Sequence, residues 1–274
     1  MNLGKLIKKL WKFAIKNYFI SIFFACIAFV VFVSVYKIFF TKPTYVYVRV
    51  KMGQGLWWAS TQKPSLWFIK NIKKGDVQTD LIGKPIAEIL SVRYYPWWGS
   101  SNQYDVYLTM KLKVSGNKKT GKYNFARSTI GVGAPVDFEF PSSQFSGTII
   151  DLEPQPIKDK YVTKIVYLIK PLAYTWEYGG IKINDKFFDG ETNVIQILDK
   201  SAVEHSSTIT PSRYFLDEIF SQTRTDIVVK LKLKGKIVDD KFVFGNDQVV
   251  ALGKTLYFAT DNFFFTDYLV SKVE

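Results

Sequence analysis

The sequence predicts a mainly β protein in which an N-terminal transmembrane helix is followed by two tandem duplicated modules, each barrel-like or sandwich-like. Three observations lead there: an apolar run near the start, segments alternating with period two, and an ordered set of residues that recurs further along the chain. The composition agrees, because 23 Phe, 16 Tyr and 7 Trp in 274 residues favour strands, where aromatic and β-branched side chains pack well on a pleated surface. A hydrophobic content of 47% supplies ample core. Once the first 40 or so residues are set aside, the remainder is long enough for two domains of roughly 100 residues.

Tyr18 to Tyr36 is a run of 19 residues without a charge, which as a helix would span about 29 Å, the hydrocarbon thickness of a bilayer. The transmembrane segment is placed at 18–40, after a basic cytoplasmic segment at 1–17. Lys5, Lys8, Lys9, Lys12 and Lys16 precede the run, whereas only Lys37 and Lys42 follow it closely. Positive charge is retained on the cytoplasmic side, so the C-terminal bulk is expected outside the cytoplasm. A cleaved signal peptide shares the basic start, but the apolar run exceeds the usual 7 to 15 residues and lacks an Ala-x-Ala exit. Cys26, the one cysteine, lies inside this run, so the exported part has no disulfide framework and depends on its core.

The formal charge of +13 divides unevenly: residues 1–41 hold six lysines and no acid, leaving 31 basic against 24 acidic residues beyond them. That diluted excess does not form the clustered stripe that nucleic-acid binding requires. Anionic lipid or an acidic wall polymer would be met first and bound by the same electrostatics.

Self-similarity organises the rest. Ile72, Lys73, Gly75, Asp76 and Asp80, with Ile86, Ile89 and Leu90 after them, recur as Ile181, Lys182, Asn184, Asp185 and Asp189, with Val194, Ile197 and Leu198. The offset is 109, then 108. Lys111, Leu112, Lys113 and Gly116 match Lys230, Leu231, Lys232 and Gly235 at an offset of 119, as Tyr123 and Phe125 match Phe242 and Phe244. Val132, Gly133, Val136, Phe138, Phe145 and Ile149 match Leu252, Gly253, Leu256, Phe258, Phe265 and Leu269 at 120. Module one is placed at 44–153 and module two at 161–274, joined by a linker at Pro154 to Lys160.

Within the blocks, Val106, Leu108, Met110, Leu112 and Val114 alternate with polar residues, as do Ile227, Val229, Leu231 and Leu233. That is the signature of half-buried strands. Gly75 with Asp76 and Asn184 with Asp185 are turn pairs expected to join strands, and Gly133 and Gly253 mark bends. One helix is expected in copy two, where Thr210 caps, Pro211 starts and Tyr214, Phe215, Ile219 and Phe220 form an apolar face. The Gly-Asp turn before an Ile-rich strand, the Lys-rich alternating strand, and the Val-Gly-x-x-Val-x-Phe strand ending in Phe145, Gly147, Ile149 and Ile150 together resemble a family of uncharacterised bacterial single-pass envelope proteins with a β-rich domain of unknown function. The resemblance implies topology and no activity; copy two departs from it in carrying Asp267 where the glycine is expected.

No cofactor or metal is expected. His205 is the only histidine, too few for an imidazole zinc site, and the acidic residues lack calcium-loop spacing. Asp137, Glu139, Asp151 and Glu153 alternate two by two, but copy two has Tyr257, Ala259, Ser271 and Val273 at those offsets, so they read as a solvated edge, and no enzyme is expected. The candidate partner or ligand surface is aromatic: Trp57, Trp58, Tyr94, Tyr95, Trp97 and Trp98, in segments that read as loops. Adjacent tryptophans on a strand point to opposite faces, so one of each pair can be core while the other meets a protein, a sugar or the outer leaflet. The expected function is a membrane-anchored, extracytoplasmic, non-enzymatic scaffold or adaptor whose partners are the lipid bilayer and another envelope protein, with no nucleic acid. A module that binds or processes cell-wall polysaccharide is the alternative.

Overall fold

A computed structural model describes residues 16–40, 43–53, 63–97, 102–117, 121–208 and 221–274. Two compact units emerge, 1–44 and 45–274. In the first, α1 (Tyr18–Phe40) is a helix of 23 residues without an acid in its first turn. Its apolar side chains are exposed on all sides, Phe19 at 72%, Phe29 at 68% and Phe32 at 67% among them. The lack of a polar face distinguishes it from the amphipathic helix of a soluble protein surface. Among the described residues no helix is long and apolar enough to cross a membrane; the unbroken run of described side chains in α1 is Tyr18–Ser34.

The second unit is mainly β. Its N-terminal half carries β1 (Thr44–Met52), the one-turn helix α2 (Leu66–Ile69), β2 (Val77–Thr79), β3 (Pro85–Pro96), β4 (Tyr104–Asn117), β5 (Lys122–Phe125), β6 (Ser128–Ile130), β7 (Pro135–Glu139) and β8 (Gln144–Glu153). The C-terminal half carries β9 (Tyr161–Tyr174), α3 (Thr175–Gly180), β10 (Lys186–Phe188), β11 (Asn193–Thr208), β12 (Ser221–Val238), β13 (Lys241–Phe244), β14 (Gln248–Val249), β15 (Phe258–Ala259), β16 (Phe264–Phe265) and β17 (Leu269–Val273). The first sheet runs β2-β3-β4-β1-β8-β7, and the second contains β10-β11-β12-β9-β17. Reading β10 for β2, β11 for β3, β12 for β4, β9 for β1 and β17 for β8, the two share one strand order.

The likeness extends to single hydrogen bonds. The N–H of Gly75 donates to Ile89 O and that of Ile89 to Asp76 O; the N–H of Asn184 donates to Ile197 O and that of Ile197 to Asp185 O. Gly75 and Asn184 both have positive φ, 88° and 70°, a conformation that glycine and asparagine tolerate best. They lead from α2 into β2 and from α3 into β10, rather than joining two strands. A bulge interrupts β3 between Ile89 and Ser91 and β11 between Ile197 and Asp199.

Two matches shift. Ala87 faces Leu112 and Ile195 faces Leu233, so β4 maps onto β12 at an offset of 121, not 119. A strand alternating Lys and Leu is nearly self-similar under a shift of two residues, because the side-chain period is two. Gly133 N–H donates to Ile149 O and Gly253 N–H to Val270 O, so Val270, not Leu269, stands in for Ile149; Leu269 is 37% exposed and Val270 only 1%. Asp267, at φ 61°, is an inserted residue, and Tyr268 occupies the position of Gly147. The helix expected from Thr210 to Phe220 lies outside the described residues.

Alternation does set the core. Val106, Leu108, Met110, Leu112 and Val114 are buried in the first half, and Ile227, Val229, Leu231 and Leu233 in the second. Gly147 is needed where β8 crosses β1, since a Cβ there would lie 2.8 Å from the Lys51 carbonyl and closer still to the Val50 side chain. Gly147→Ala is expected to cost about 1–3 kcal/mol of unfolding free energy through overpacking. Gly131→Ala, where a Cβ meets nothing within 4 Å, should stay within about 0.5 kcal/mol; thermal and denaturant unfolding of the two variants measures the difference.

Candidate functional site

The densest polar chemistry lies where the two halves meet. Asp189, in the turn between β10 and β11, is fully buried. Its Oδ1 accepts the N–H groups of Glu191 and Thr192 at 3.0 and 2.8 Å, closing the turn by the local side-chain bonding that aspartate favours. Its Oδ2 reaches into the other half, accepting from Arg93 Nη1 and, at 3.1 Å, from the Tyr95 hydroxyl. The Asp189 carbonyl accepts the Tyr94 N–H at 2.9 Å. Gly190, at φ 101°, allows this approach, because a Cβ would strike the Val92 carbonyl. Burial works against the charge on Arg93, but the Asp189 carboxylate outweighs it and holds the guanidinium above its ordinary value.

Beside this contact the linker bends inward. Asp159 Oδ2 accepts from Arg49 Nη2 on β1 at 2.8 Å, from Lys236 Nζ on β12 at 2.9 Å and from the Tyr161 hydroxyl at 3.3 Å. Burial alone would raise the Asp159 carboxyl; the Lys236 hydrogen bond and the Arg49 field more than offset it and bring it below the usual aspartate range. Burial pushes the Tyr161 phenol up to about 12, and burial together with the charge of Arg49 pulls the Lys236 ammonium down. These groups line a cleft of about 270 Å³ together with Arg93, Tyr107, Ser91, Thr109 and Asn246 and the apolar Leu90, Pro156 and Ile157.

The aromatic residues singled out in the sequence divide. Tyr94 and Tyr95 belong to β3, not to a loop, because the strand continues to Pro96 paired with Tyr104. Tyr95 is buried in the core of the second half, its ring 5.4 Å from Phe244 and 6.3 Å from Phe187, and so is closed to an outside partner. Tyr94 is half-buried against Tyr104 at 5.6 Å. Trp97 is half-buried and donates its N–H to Gln103 O. Trp57, Trp58 and Trp98 lie outside the described residues. Two tryptophans not singled out are strongly exposed, Trp67 on α2 at 70% and Trp176 on α3 at 66%. They stand 109 apart, the offset of the first repeat block, which is the signal that could have found them. Trp176 stacks on Tyr174 with planes 18° apart, and Arg224 covers the Tyr174 ring at 3.7 Å.

Three of the four alternating carboxylates have close partners. Asp137 accepts from Ser146, Glu139 from Gln144, and Asp151 lies 3.9 Å from Arg49. His205 sits on β11 opposite Arg224. Among the described residues no group of three or more His, Cys, Asp or Glu is placed to hold a metal ion.

The fold and junction define a mainly β protein built largely from two sheets that share the order of five strands, with a cationic cleft between its halves. No protein family, curated protein or solved structure matches the chain.

Because the folded Asp159 pKa is depressed, its contribution to stability is fully present above the ordinary aspartate value and is lost as pH falls through the folded value. Asp159→Asn is expected to lose about 2 kcal/mol at neutral pH. The gap between wild type and variant should stay flat above about pH 5 and close below it, as measured by urea unfolding across pH.

Proposed function

We propose that the chain is a membrane-anchored, extracytoplasmic, non-enzymatic scaffold that holds a partner protein in the cell envelope. The observation that carries this reading is α1, 23 residues long with large apolar side chains exposed around it and no charge between Tyr18 and Tyr36. Exposing so much apolar surface to water is unfavourable at about 25 cal/mol per Å², and insertion into a bilayer would remove that cost. The lysines before the helix outnumber those just after it, which supports export of residues 45–274. The polar pairings at the junction tie one half to the other, as expected of a rigid scaffold. Trp67 and Trp176, exposed at matching positions of the two halves, supply the aromatic contact area that protein interfaces favour.

A second reading, a module that binds or processes cell-wall polysaccharide, rests on the exposed ring of Trp176, braced by its stack on Tyr174, since sugar rings lie flat on aromatic faces of this kind.

The full chain should stay in the membrane pellet after alkaline carbonate extraction, and protease added outside intact cells should digest the β body. Release by carbonate, or a β body protected until the cells are broken, would overturn the anchored, exported reading. Trp67→Ala with Trp176→Ala should abolish chemical cross-linking to the envelope partner without changing the melting temperature; loss of retention on wall glycan instead favours the second reading.

A further inference from the structure

We propose that the cleft between the two halves is a binding site for a small oxyanion, a phosphate or carboxylate group, held between Arg49 of one half and Lys236 of the other. Arg93 has its own buried partner in Asp189, but Arg49 and Lys236 converge on a single carboxylate oxygen, Asp159 Oδ2. Among the described residues Asp151 also faces Arg49, at 3.9 Å and 36% exposed, and Lys236 Nζ also donates to Asn246 Oδ1 at 2.9 Å. Three cations therefore line a cleft in which one carboxylate takes part, and both Arg49 and Lys236 are largely withdrawn from water, with side chains 13% and 7% exposed. A cation held out of water is costly unless it is well paired; Asp159 Oδ2 is shared between two cations and Asp151 stands 3.9 Å from Arg49, so an oxyanion would complete a pairing that is shared and long.

The rest of the wall suits an anion. Ser91 and Thr109 bring hydroxyls and Asn246 an amide; the phenols of Tyr107 and Tyr161, each pushed up to about 12 by burial, already donate to Asp247 at 3.4 Å and Asp159 at 3.3 Å, and would have to turn to reach an anion. An arginine and a lysine on opposite sides match the way oxyanions are usually gripped, by a planar fork and a point charge. A volume of about 270 Å³ admits a phosphate monoester or a carboxylated sugar.

The repeat shows that this charge is not inherited from the fold. By strand register, Arg49 corresponds to Tyr167, Arg93 to Ser201 and Lys236 to Ser115. None of the three equivalents is cationic, so the cations are particular to the junction. Asp159, on the linker, partly occupies the anion's place, and a ligand would share or displace its contacts.

The test is the melting temperature of the full chain in non-ionic detergent, with sodium phosphate, glycerol phosphate or glucuronate against sodium chloride at matched ionic strength. A saturable rise of about 2–4 °C at ten times the apparent Kd is expected, lost in Lys236→Gln. If that variant fails to fold, Ser91→Ala with Thr109→Val, which removes two hydroxyls and no charge, should weaken apparent affinity by about tenfold. Vesicles of phosphatidylglycerol against phosphatidylcholine separate the sources: a rise only with soluble anions assigns a free ligand, and one with phosphatidylglycerol assigns a headgroup. Equal melting temperatures in phosphate, glucuronate and chloride, or a rise unchanged in both variants, would overturn the proposal.

Discussion

Everything in the β body hinges on one buried carboxylate. Asp189 closes its own turn with one oxygen and holds Arg93 and Tyr95 of the other half with the second. Removing one partner from such a buried pair leaves an uncompensated charge, which costs about 3–5 kcal/mol. The contact also positions Tyr95, whose ring completes the core of a half to which its own strand does not belong. Two sheets that share a strand order could have formed separate beads; the exchange of an aspartate for a tyrosine makes them one body.

The same junction accounts for the placing of charge. The linker carries Asp159 to this joint, where it pairs with Arg49 and Lys236. The two cations come from different halves, so the cleft exists only while the halves are together. The β body gains rigidity from this arrangement, and a ligand bound there would reinforce it, since whatever binds the folded state alone stabilises it.

Much of the architecture was legible in the sequence. Period-two alternation identified the buried faces of β4 and β12 because only those positions can be apolar on a half-solvated strand. The turn residues Gly75 and Asn184 marked matching backbone conformations. Registers were harder: Lys111–Leu112–Lys113 fits Lys230–Leu231–Lys232 as well as it fits Lys232–Leu233–Lys234, and only backbone pairing separates the two. The inserted Asp267 was invisible for a similar reason, since a one-residue bulge leaves composition unchanged.

The junction was the least legible part. Adjacent tyrosines at 94 and 95 look like a loop platform, yet a strand end that docks on another sheet needs the same residues. Asp189 looked like an ordinary turn residue because Asp80, its counterpart, is one: Asp80 accepts the N–H groups of Ile82 and Lys84. What sets Asp189 apart is Arg93, close to a hundred positions earlier in the chain, and no local pattern links them. Native-state hydrogen exchange of the β4 and β12 core amides tests this account most directly. Coupled halves should open at the same free energy, and Asp189→Asn should lower both together. Opening energies that differ by more than about 1 kcal/mol in the wild type, or a variant effect confined to β12, would contradict it.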